Sequence, residues 1–396
     1  MEINYKTMRK VIHYIAESYL PITETWIYGQ IKNLKKYRPI VYASRKENLD
    51  IYPIENIRSL DLKPGISDLH NFFNKGWNEI FNFYPFFMFN LIKDKPNLVH
   101  AHFGPSGYGF LKSKKLFGLP LITTFYGYDL SLLPNQHPEW KRKYRKLFRE
   151  GELFLVEGNH MKKCLVKLGC PEGKIIVQHL GIDLEQIKFM PRKLGKDKEI
   201  RILISSSFRE KKGIPYAVEV FGLIKQKNPE LRLKLTVIGN SGGSPAEELE
   251  KKKVLDMIKK YNLRDYVDML GYQPYPVFLK ELYKHHIFLH PSIHASTGDT
   301  EGGAPVSIIE ASASGMPILS TTHCDIPEIV IDGKSGYLVP ERDVDVLVER
   351  LEFLVFNPNI WGKMGVSGRE HIEVNYDIKK QVQRLEEIYD KVLMRT

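Results

Sequence analysis

Short runs of β-branched residues alternate with helical hydrophobic patterns from one end of this 396-residue chain to the other. Such alternation is typical of parallel β-sheets whose two faces are covered by helices. A polar, charged segment, Pro191–Glu199, separates two series of six runs and predicts a boundary between two α/β domains. The predicted strands are Val11–Ile15, Pro39–Ala43, Leu98–His102, Leu121–Phe125, Leu153–Glu157, Ile175–His179, Arg201–Ser205, Lys234–Ile238, Tyr266–Met269, Ile287–His290, Pro317–Ser320 and Gly336–Val339.

Length and composition exclude several classes of protein. A hydrophobic content of 43% over 396 residues suffices for two or three well-filled cores. The sequence contains no run of eighteen or more apolar residues, so we expect no membrane span. The first twenty residues lack the apolar core of a signal peptide, and the cysteines Cys164, Cys170 and Cys324 form no metal-ligand pattern. Both observations favour a cytoplasmic protein in a reduced compartment.

The positive charge is concentrated in the first half of the chain. Residues 1–190 contain 28 Lys and Arg against 18 Asp and Glu, whereas residues 191–396 contain 30 against 29. Within the first half, Glu139–Glu150 predicts an amphipathic helix with Trp140, Tyr144, Leu147 and Phe148 on one face and basic residues on the rest. Such a helix suits an anionic membrane surface, or an acidic or phosphate-bearing substrate. The alternative is a core-packed helix with a solvated basic back.

An aromatic run, Phe72–Phe89, lies in the same half. Asn, Lys and Pro interrupt it, which argues against a membrane span. Most such runs belong to a hydrophobic core; the other interpretation is an apolar acceptor-side surface near lipid. Nucleic acid is not an expected partner, because no recognised binding module accompanies the basic charge.

The segment Thr300–Gly315 (TEGGAPVSIIEASASG) indicates a ligand site. Gly302 and Gly303 let backbone N–H groups approach a ligand closely, ahead of a predicted helix start at Pro305. The open amides and positive dipole end of that helix favour a phosphate group. Glu301 and Glu310 flank this cradle, which suggests a nucleotide-sugar site; an ordinary helix-capping loop is the alternative.

Thr300–Gly315 resembles the acid-loop-acid signature of family 4 glycosyltransferases, although Glu301 and Glu310 are nine positions apart where eight is usual. The resemblance extends through Pro327–Asp343 and is strongest between residues 200 and 375. It implies the α/β GT-B fold, with two Rossmann-like domains facing across a cleft. We therefore expect an acceptor-binding domain at residues 1–190 and a nucleotide-sugar domain at residues 191–376. The C-terminal helix, residues 377–396, would cross back to the first domain.

The resemblance also implies the donor site. Glu301 would orient the donor sugar, and Lys212 resembles the family lysine that holds the diphosphate. The usual partner arginine aligns with Ser207, and Arg209 could supply that charge from two residues away. Further donor-binding positions are implied at Ser207, Gly239, Tyr272, Gln273, Gly302, Gly303, Ala304 and Glu310.

The first half resembles the family more loosely, in Ser18–Trp26, Val99–Gly104 and Thr123–Asp129. Tyr126 stands where many members have an active-site histidine, and a tyrosine donates hydrogen bonds without shuttling protons near neutral pH. The residues expected to bind the acceptor are Glu24, His102, Tyr126 and Asp129.

The expected activity is a retaining, metal-independent glycosyl transfer that uses no cofactor. The sugar would pass from a nucleoside-diphosphate donor to a glycan or lipid-linked acceptor in surface-polysaccharide, lipopolysaccharide or glycolipid assembly. The protein could also be peripheral on the inner face of the cell membrane. Two alternatives are a nucleotide-sugar 2-epimerase of the same fold and a non-catalytic sugar-nucleotide binding protein.

Two patterns suggest a metal ion. Asp343 and Asp345 form an Asp-x-Asp pair, but they begin an amphipathic pattern, so we predict a helix cap rather than a metal site. His100 and His102 lie one strand period apart and could form a zinc pair. The sequence offers no obvious third ligand, which favours packed or substrate-contacting histidines.

Overall fold

The computed structural model describes residues 8–21, 24–60 and 85–395. The chain divides into two compact units, one formed by Met1–Gly181 with Ile378–Thr396 and the other by Ile182–Asp377. Most of the aromatic run Phe72–Phe89 lies outside the described residues; near its end Phe87 is buried and Phe89 is exposed.

The first unit contains a seven-stranded sheet in the order β3-β2-β1-β4-β5-β6-β7. All its neighbouring strands are parallel. The central strands β4, β5 and β6 are buried along their whole length, as expected where helices cover both faces of a sheet. The strands are β1 (Arg9–Tyr19), β2 (Tyr37–Lys46), β3 (Ile57–Ser59), β4 (Leu98–His102), β5 (Leu121–Thr124), β6 (Leu153–Val156) and β7 (Ile175–Val177).

The helices between these strands are α1 (Thr25–Lys32), α2 (Pro85–Asp94), α3 (Gly104–Phe117), α4 (Leu132–Gln136), α5 (Glu139–Glu150) and α6 (Asn159–Lys167). The basic helix α5 has the predicted bounds. Its side chains Tyr144, Leu147 and Phe148 are buried in the core of the first unit, and Trp140 packs against that core. The apolar face of α5 is therefore occupied, and only its basic side faces solvent.

The second unit contains a six-stranded parallel sheet in the order β10-β9-β8-β11-β12-β13. Its strands are β8 (Ile200–Ser205), β9 (Leu233–Ile238), β10 (Val267–Gly271), β11 (Ile287–His290), β12 (Ile318–Thr321) and β13 (Gly336–Val339). Its helices are α7 (Ile214–Lys227), α8 (Pro245–Lys260), α9 (Tyr275–Lys284), α10 (Val306–Ala313), α11 (Val344–Phe356) and α12 (Trp361–Asn375).

Asp343 is the N-cap residue of α11. Its side chain accepts a hydrogen bond from the backbone N–H of Val346 at 3.1 Å. The predicted capping role is confirmed, because the carboxylate satisfies an amide that a helix start leaves open.

The last helix, α13 (Ile378–Leu393), belongs to the first unit. Its Glu386 accepts hydrogen bonds from the backbone N–H groups of Lys35 and Lys36 at 2.7 and 2.6 Å. The hydroxyl of Tyr389 lies 2.7 Å from Nδ1 of His100 on β4. These contacts join α13 to residues that precede it by almost the whole chain.

The polar segment Pro191–Glu199 packs with the second unit. Arg192 is 2% exposed, and its guanidinium donates hydrogen bonds to the backbone carbonyls of Leu282 and His285, each at 2.7 Å. The change between units comes earlier, after Gly181. A polar segment can therefore pack within a compact unit, since a buried arginine can be satisfied by carbonyl groups.

All twelve predicted strands are present, with bounds that differ by a few residues at most ends. One exception is β1, which extends to Tyr19, four residues beyond its predicted end. The three-residue edge strand β3 was not predicted, because its half-buried residues show no hydrophobic run.

Each sheet has one position where the strand order reverses. In the second unit β8 lies between β9 and β11, and in the first unit β1 lies between β2 and β4. Ligands of open α/β sheets bind at the carboxyl ends of the strands beside such a switch point. The loops after β8 and β11, and those after β1 and β4, are therefore the places to search for a site.

Candidate functional site

A glycine brings together the two loops at the switch point of the second unit. Gly213 has a φ of +63°, and a Cβ atom at this position would lie 1.9 Å from the carbonyl oxygen of Pro291. Only glycine permits both this backbone conformation and this approach. The close contact places Arg209 and Lys212, from the loop after β8, within reach of the acidic residues that follow β11.

Asp299 holds two of the cations. Its carboxylate accepts from a terminal guanidinium nitrogen of Arg209 at 2.8 Å and from Lys211 Nζ at 3.1 Å. Lys211 also donates to the backbone carbonyl of Thr300 at 2.7 Å. Burial lowers the pKa of Lys211, and the charges of Glu301 and Asp299 oppose that shift. Asp299 thus fixes the cationic loop against the loop that contains the first acid.

Glu301 forms a buried ion pair with Lys212. Its Oε2 lies 2.7 Å from Lys212 Nζ, and its Oε1 accepts from Ser292 Oγ at 2.8 Å and lies 3.4 Å from His290 Nε2. Burial alone would raise the pKa of this carboxyl, but Lys212 and the His290 hydrogen bond hold it well below its usual range. Glu301 is therefore a charged carboxylate at neutral pH.

Backbone N–H groups are open beside this ion pair. Gly302 has a φ of +76°, and α10 begins at Val306 after an N-cap at Pro305. Within the described part of the chain, no acceptor lies in hydrogen-bond geometry to the N–H groups of Gly303, Ala304 or Val306. Open amides at a helix start form a ready site for an anion.

The second acid, Glu310, differs from the first in its electrostatic state. Its side chain lies on α10 and accepts a hydrogen bond from the Tyr275 hydroxyl at 2.8 Å. Burial raises the pKa of Glu310 to about 7, and the tyrosine hydrogen bond only partly opposes this shift. Glu310 can therefore accept or donate a hydrogen bond near neutral pH.

The remaining predicted donor residues lie at the same edge of the sheet. Ser207 follows β8 and is half-buried. Gly239 follows β9 with a φ of +128°, and a Cβ atom there would lie 1.8 Å from the backbone oxygen of Ser206. Tyr272 follows β10 and is 55% exposed, and its neighbour Gln273 donates to the Leu270 carbonyl at 2.6 Å.

A chain of hydrogen-bonded rings occupies the switch point of the first unit. Tyr126 Oη lies 2.6 Å from His102 Nδ1, and His102 Nε2 lies 3.0 Å from His13 Nδ1. Burial lowers the pKa of both histidines well below the usual range, so the rings are neutral. His102 has no exposed surface and holds the Tyr126 hydroxyl, and its contact with an acceptor stays a prediction.

Asp129 likewise has no exposed surface. Its carboxylate accepts from the backbone N–H groups of Gly104, Tyr126 and Gly127 at 2.7, 2.9 and 3.1 Å. Both oxygens hold the loops after β4 and β5 together, and a contact between Asp129 and an acceptor stays a prediction. Burial raises its pKa to about 6, against these hydrogen bonds.

Glu24 is the half-buried N-cap residue of α1, in the loop after β1. Burial raises the pKa of its carboxyl to about 7, with further contributions from the charges of Glu17, Glu47 and Asp129. No side-chain hydrogen bond caps the helix from this residue. Of the four predicted acceptor residues, Glu24 is the one with a partly accessible carboxyl group.

A third histidine lies beside His100 and His102 in the structure. His13 lies with His100 and His102 in a group whose nitrogens could hold a metal ion. However, both nitrogens of His100 are engaged, by Tyr389 and by Thr124, and His13 is hydrogen-bonded directly to His102. Hydrogen bonds account for the arrangement of these rings, so it does not require a metal.

Sequence reasoning missed Asp299, Ser292, His290 and His323, all of which contact the first acid or its loop. Ser292 and His290 border a predicted strand end, which is a usable signal in an α/β fold. Asp299 lies two residues before the first acid, where its partners, 88 and 90 positions away, are not visible from the sequence.

Comparison with known proteins adds independent information. Family models described as Glycosyltransferase Family 4 and Glycosyl transferases group 1 match residues 36–186 and 186–371. WcaL of Escherichia coli (strain K12), provisionally named a colanic acid biosynthesis glycosyltransferase, is 34% identical over 71% of this chain and 67% of its own length. The amylovoran biosynthesis glycosyltransferase AmsK of Erwinia amylovora is 30% identical over 74% of this chain and 69% of its own.

Solved structures show the same fold at low identity. HepE of Anabaena, in complex with UDP, superposes with a TM-score of 0.77 at 14% identity and covers 97% of this chain and 100% of its own. Sucrose-phosphate synthase from Thermosynechococcus elongatus superposes with a TM-score of 0.74 at 15% identity, covering 98% and 100%. These likenesses confirm the predicted GT-B fold class. Among the described residues, no helix combines the length and hydropathy needed to cross a bilayer.

Proposed function

Because the chain belongs to glycosyltransferase family 4, we propose that it moves a sugar from a nucleoside diphosphate to a hydroxyl group with retention of anomeric configuration. Its relatives are named for colanic acid and amylovoran biosynthesis, which supports polysaccharide, lipopolysaccharide or glycolipid assembly as the setting. HepE was solved with UDP and with UDP-glucose, which supports a nucleotide-sugar donor. Retention is implied by the family.

The observation that carries this proposal is the pairing of open amides with cations at the switch point of the second unit. Cleaving the anomeric C–O bond builds negative charge on the departing diphosphate. Fixed donors aimed at that charge stabilise the transition state. Lys212 Nζ, the Arg209 guanidinium and the N–H groups of Gly303 and Ala304 are such donors. We therefore propose that they perform the role of a divalent ion, and that catalysis needs no metal or cofactor.

The two acids take different parts in the proposed reaction. Glu301 is charged and fixed by Ser292 and Lys212, so it can orient the hydroxyl groups of the donor sugar. Glu310 is buried beside Tyr275 and would hold the ribose. An incoming diphosphate would compete with Glu301 for Lys212, which places the lysine on the leaving group when the donor is bound.

The acceptor side belongs to the first unit in this proposal. Glu24 has a partly accessible carboxyl group, and Tyr126 is held in place by His102. Neutral and near-neutral groups suit the hydroxyls of a glycan or a lipid-linked sugar. Tyr126 would hydrogen-bond the acceptor, with Asp129 fixing its loop through backbone N–H groups.

The donor can be identified with a panel of UDP- and GDP-sugars in a thermal-shift assay, because a bound ligand stabilises the fold by mass action. The hit is then incubated alone and with glycan acceptors. Transfer supports the proposal. Release of an isomerised sugar nucleotide without acceptor indicates an epimerase, and binding without turnover indicates a non-catalytic protein. No shift with any nucleotide sugar contradicts the proposed donor site.

We also propose that the solvated basic side of α5 docks on an anionic membrane. The same unit exposes the apolar side chains Phe89 and Ile92 of α2, by 69% and 61%. Such docking would make the protein peripheral on the inner face of the cell membrane. Flotation with anionic vesicles should exceed that with neutral vesicles and fall when Lys141, Arg145 and Arg149 are changed to Glu. Matched changes at the exposed Lys252, Lys259 and Arg264 should have less effect. Equal, negligible binding to both vesicles would reject docking.

A further inference from the structure

His323 contacts the backbone of Glu301 from inside the second unit. The residue follows β12 and its ring has no exposed surface. Its Nε2 atom lies 3.1 Å from the backbone nitrogen of Glu301. Because a backbone N–H can only donate, Nε2 must be the unprotonated acceptor nitrogen of a neutral ring.

The other ring nitrogen contacts a carboxylate. His323 Nδ1 lies 2.7 Å from Glu341 Oε1 and, as the protonated nitrogen, donates to it. Glu341 is held in turn by the backbone N–H and Nδ1 of His294 at 2.7 and 2.6 Å. Burial alone would raise the pKa of Glu341, but these hydrogen bonds keep it below its usual value, so the carboxylate is charged. A carboxylate bonded to one ring nitrogen determines which tautomer faces the other side.

The chain of hydrogen bonds from Glu341 through His323 ends at the backbone N–H of Glu301. The Glu301 N–H precedes Gly302 and the open amides of Gly303 and Ala304, and the Glu301 side chain contacts Lys212 and Ser292. A peptide that lost its acceptor could rotate, which would turn both the open amides and the carboxylate away from their partners. The Sγ atom of Cys324 also lies beside this nitrogen, 3.0 Å from His323 Nε2.

We propose that Glu341 and His323 are positioning residues of the donor site. Glu341 selects the His323 tautomer that accepts from Glu301 N–H, and this bond holds the acidic carboxylate and the amide cradle in register. Neither residue contacts the donor in this scheme. The inference rests on the proposed transferase function, and it assigns a role to two residues that the acid-loop-acid pattern does not include.

The first test distinguishes a loss of catalytic orientation at Glu301 from a loss of nucleotide binding. His323→Leu should lower kcat tenfold to a hundredfold for the donor found in the nucleotide-sugar panel, because a misplaced group costs rate steeply. Calorimetry with the product nucleotide, UDP or GDP, should show a much smaller loss of affinity than of kcat, since Lys212 and Arg209 still hold the diphosphate. His323→Gln should restore most of kcat, because its amide can accept from Glu301 N–H and donate to Glu341.

His294→Ala is the matched control. It removes the other imidazole from the same Glu341 oxygen but leaves the His323 contact and the His294 backbone N–H in place, so the loss of kcat should be smaller than in His323→Leu. Glu341→Leu should resemble His323→Leu, and the double variant should be no worse than either single variant, since both act through one contact. Additive losses, or equal losses of kcat and nucleotide affinity, would overturn the positioning role.

A second test needs no ligand. In the protein labelled with 15N-histidine, His323 should show a protonated Nδ1 and an unprotonated Nε2 at neutral pH, with its signal assigned by its loss in His323→Gln. Protonation at Nε2, or at both nitrogens, would contradict the proposal. If the unchanged protein transfers no sugar and binds no nucleotide, the proposed function fails, whereas the tautomer measurement still decides the inference.

Discussion

The two switch points keep polar groups away from water in opposite ways. In the second unit the groups are ionic: Lys212 pairs with Glu301 at 2.7 Å, and Asp299 pairs with Arg209 at 2.8 Å. In the first unit the central groups are neutral rings, with Tyr126, His102 and His13 hydrogen-bonded in sequence. The same topology therefore presents ion pairs at one sheet, and neutral rings beside the carboxyl groups of Glu24 and Asp129 at the other.

This difference predicts which ligand each unit can hold. A diphosphate can exchange with a carboxylate for a lysine, so ion pairs beside open amides suit an anionic donor. Neutral rings have no counterion that a phosphate could replace. They can hold uncharged hydroxyl groups by hydrogen bonds at little electrostatic cost. The comparison leads us to assign the charged donor to the second unit and the neutral acceptor to the first.

The strongest test of the comparison removes the central cation. Lys212→Ala should lower turnover a hundredfold or more, as expected when a group that stabilises a leaving anion is lost. Steady-state kinetics with the donor from the panel measures this. Lys227→Ala is the control, since Lys227 is 65% exposed and pairs with Glu352 on the outside of the same unit. Unchanged turnover in Lys212→Ala would remove this residue from the mechanism.

Glu310 should make the second unit less stable as pH rises. Its folded pKa is about 7 against a usual value of 4.5, so the folded state keeps its proton longer than the unfolded chain. The free energy of unfolding should therefore fall between pH 4.5 and pH 7, by up to about 3 kcal/mol from this group.

The isosteric Glu310→Gln removes that titration. It should match the unchanged protein at pH 4.5 and exceed it in stability at pH 8, as measured by urea denaturation at each pH. Glu24, with a pKa of about 7, adds a similar slope from the first unit, so the variant reduces the dependence without abolishing it. Equal pH slopes in the two proteins would contradict the burial argument.

Asp129 tests how the first unit holds its loops at the switch point. Asp129→Asn should destabilise the protein by about 2 kcal/mol or more, because one amide oxygen cannot replace a carboxylate that serves three backbone N–H groups. The folded variant should keep its affinity for the donor nucleotide, since the proposed donor site lies in the second unit. Asp50→Asn at an exposed position is the control for thermal and chemical denaturation. Unchanged stability in Asp129→Asn would show that these bonds are dispensable.

The smallest expected effect concerns metal ions. If Lys212, Arg209 and the open amides neutralise the leaving diphosphate, EDTA should leave kcat unchanged, and Mn²⁺ or Mg²⁺ should not raise it. The assay uses the same donor and acceptor with chelator and with each ion. Activity that required Mn²⁺ would overturn the proposed ion-free site.

Much of the fold could be predicted because its signals are local. Twelve strands and the bounds of α5 followed from hydrophobic periodicity, and Asp343 followed from helix-start chemistry. The acid-loop-acid segment indicated its phosphate cradle through glycines and a helix start that are contiguous in sequence. The burial of Arg192 could not be predicted, since a charged residue that is satisfied by carbonyl groups looks the same in sequence as one in solvent.

The sequence by itself determined two parallel sheets and the identities of the acids and cations that their strand ends present. Only the tertiary structure decided which of these groups meet: Lys212 with Glu301, and His13 with His102, each pair 89 positions apart. It also decided that Asp129 is enclosed and that His323 supports the first acid. The reason is physical: periodicity and turn chemistry act over a few residues, whereas strand order and packing set contacts between distant side chains and hence their charge.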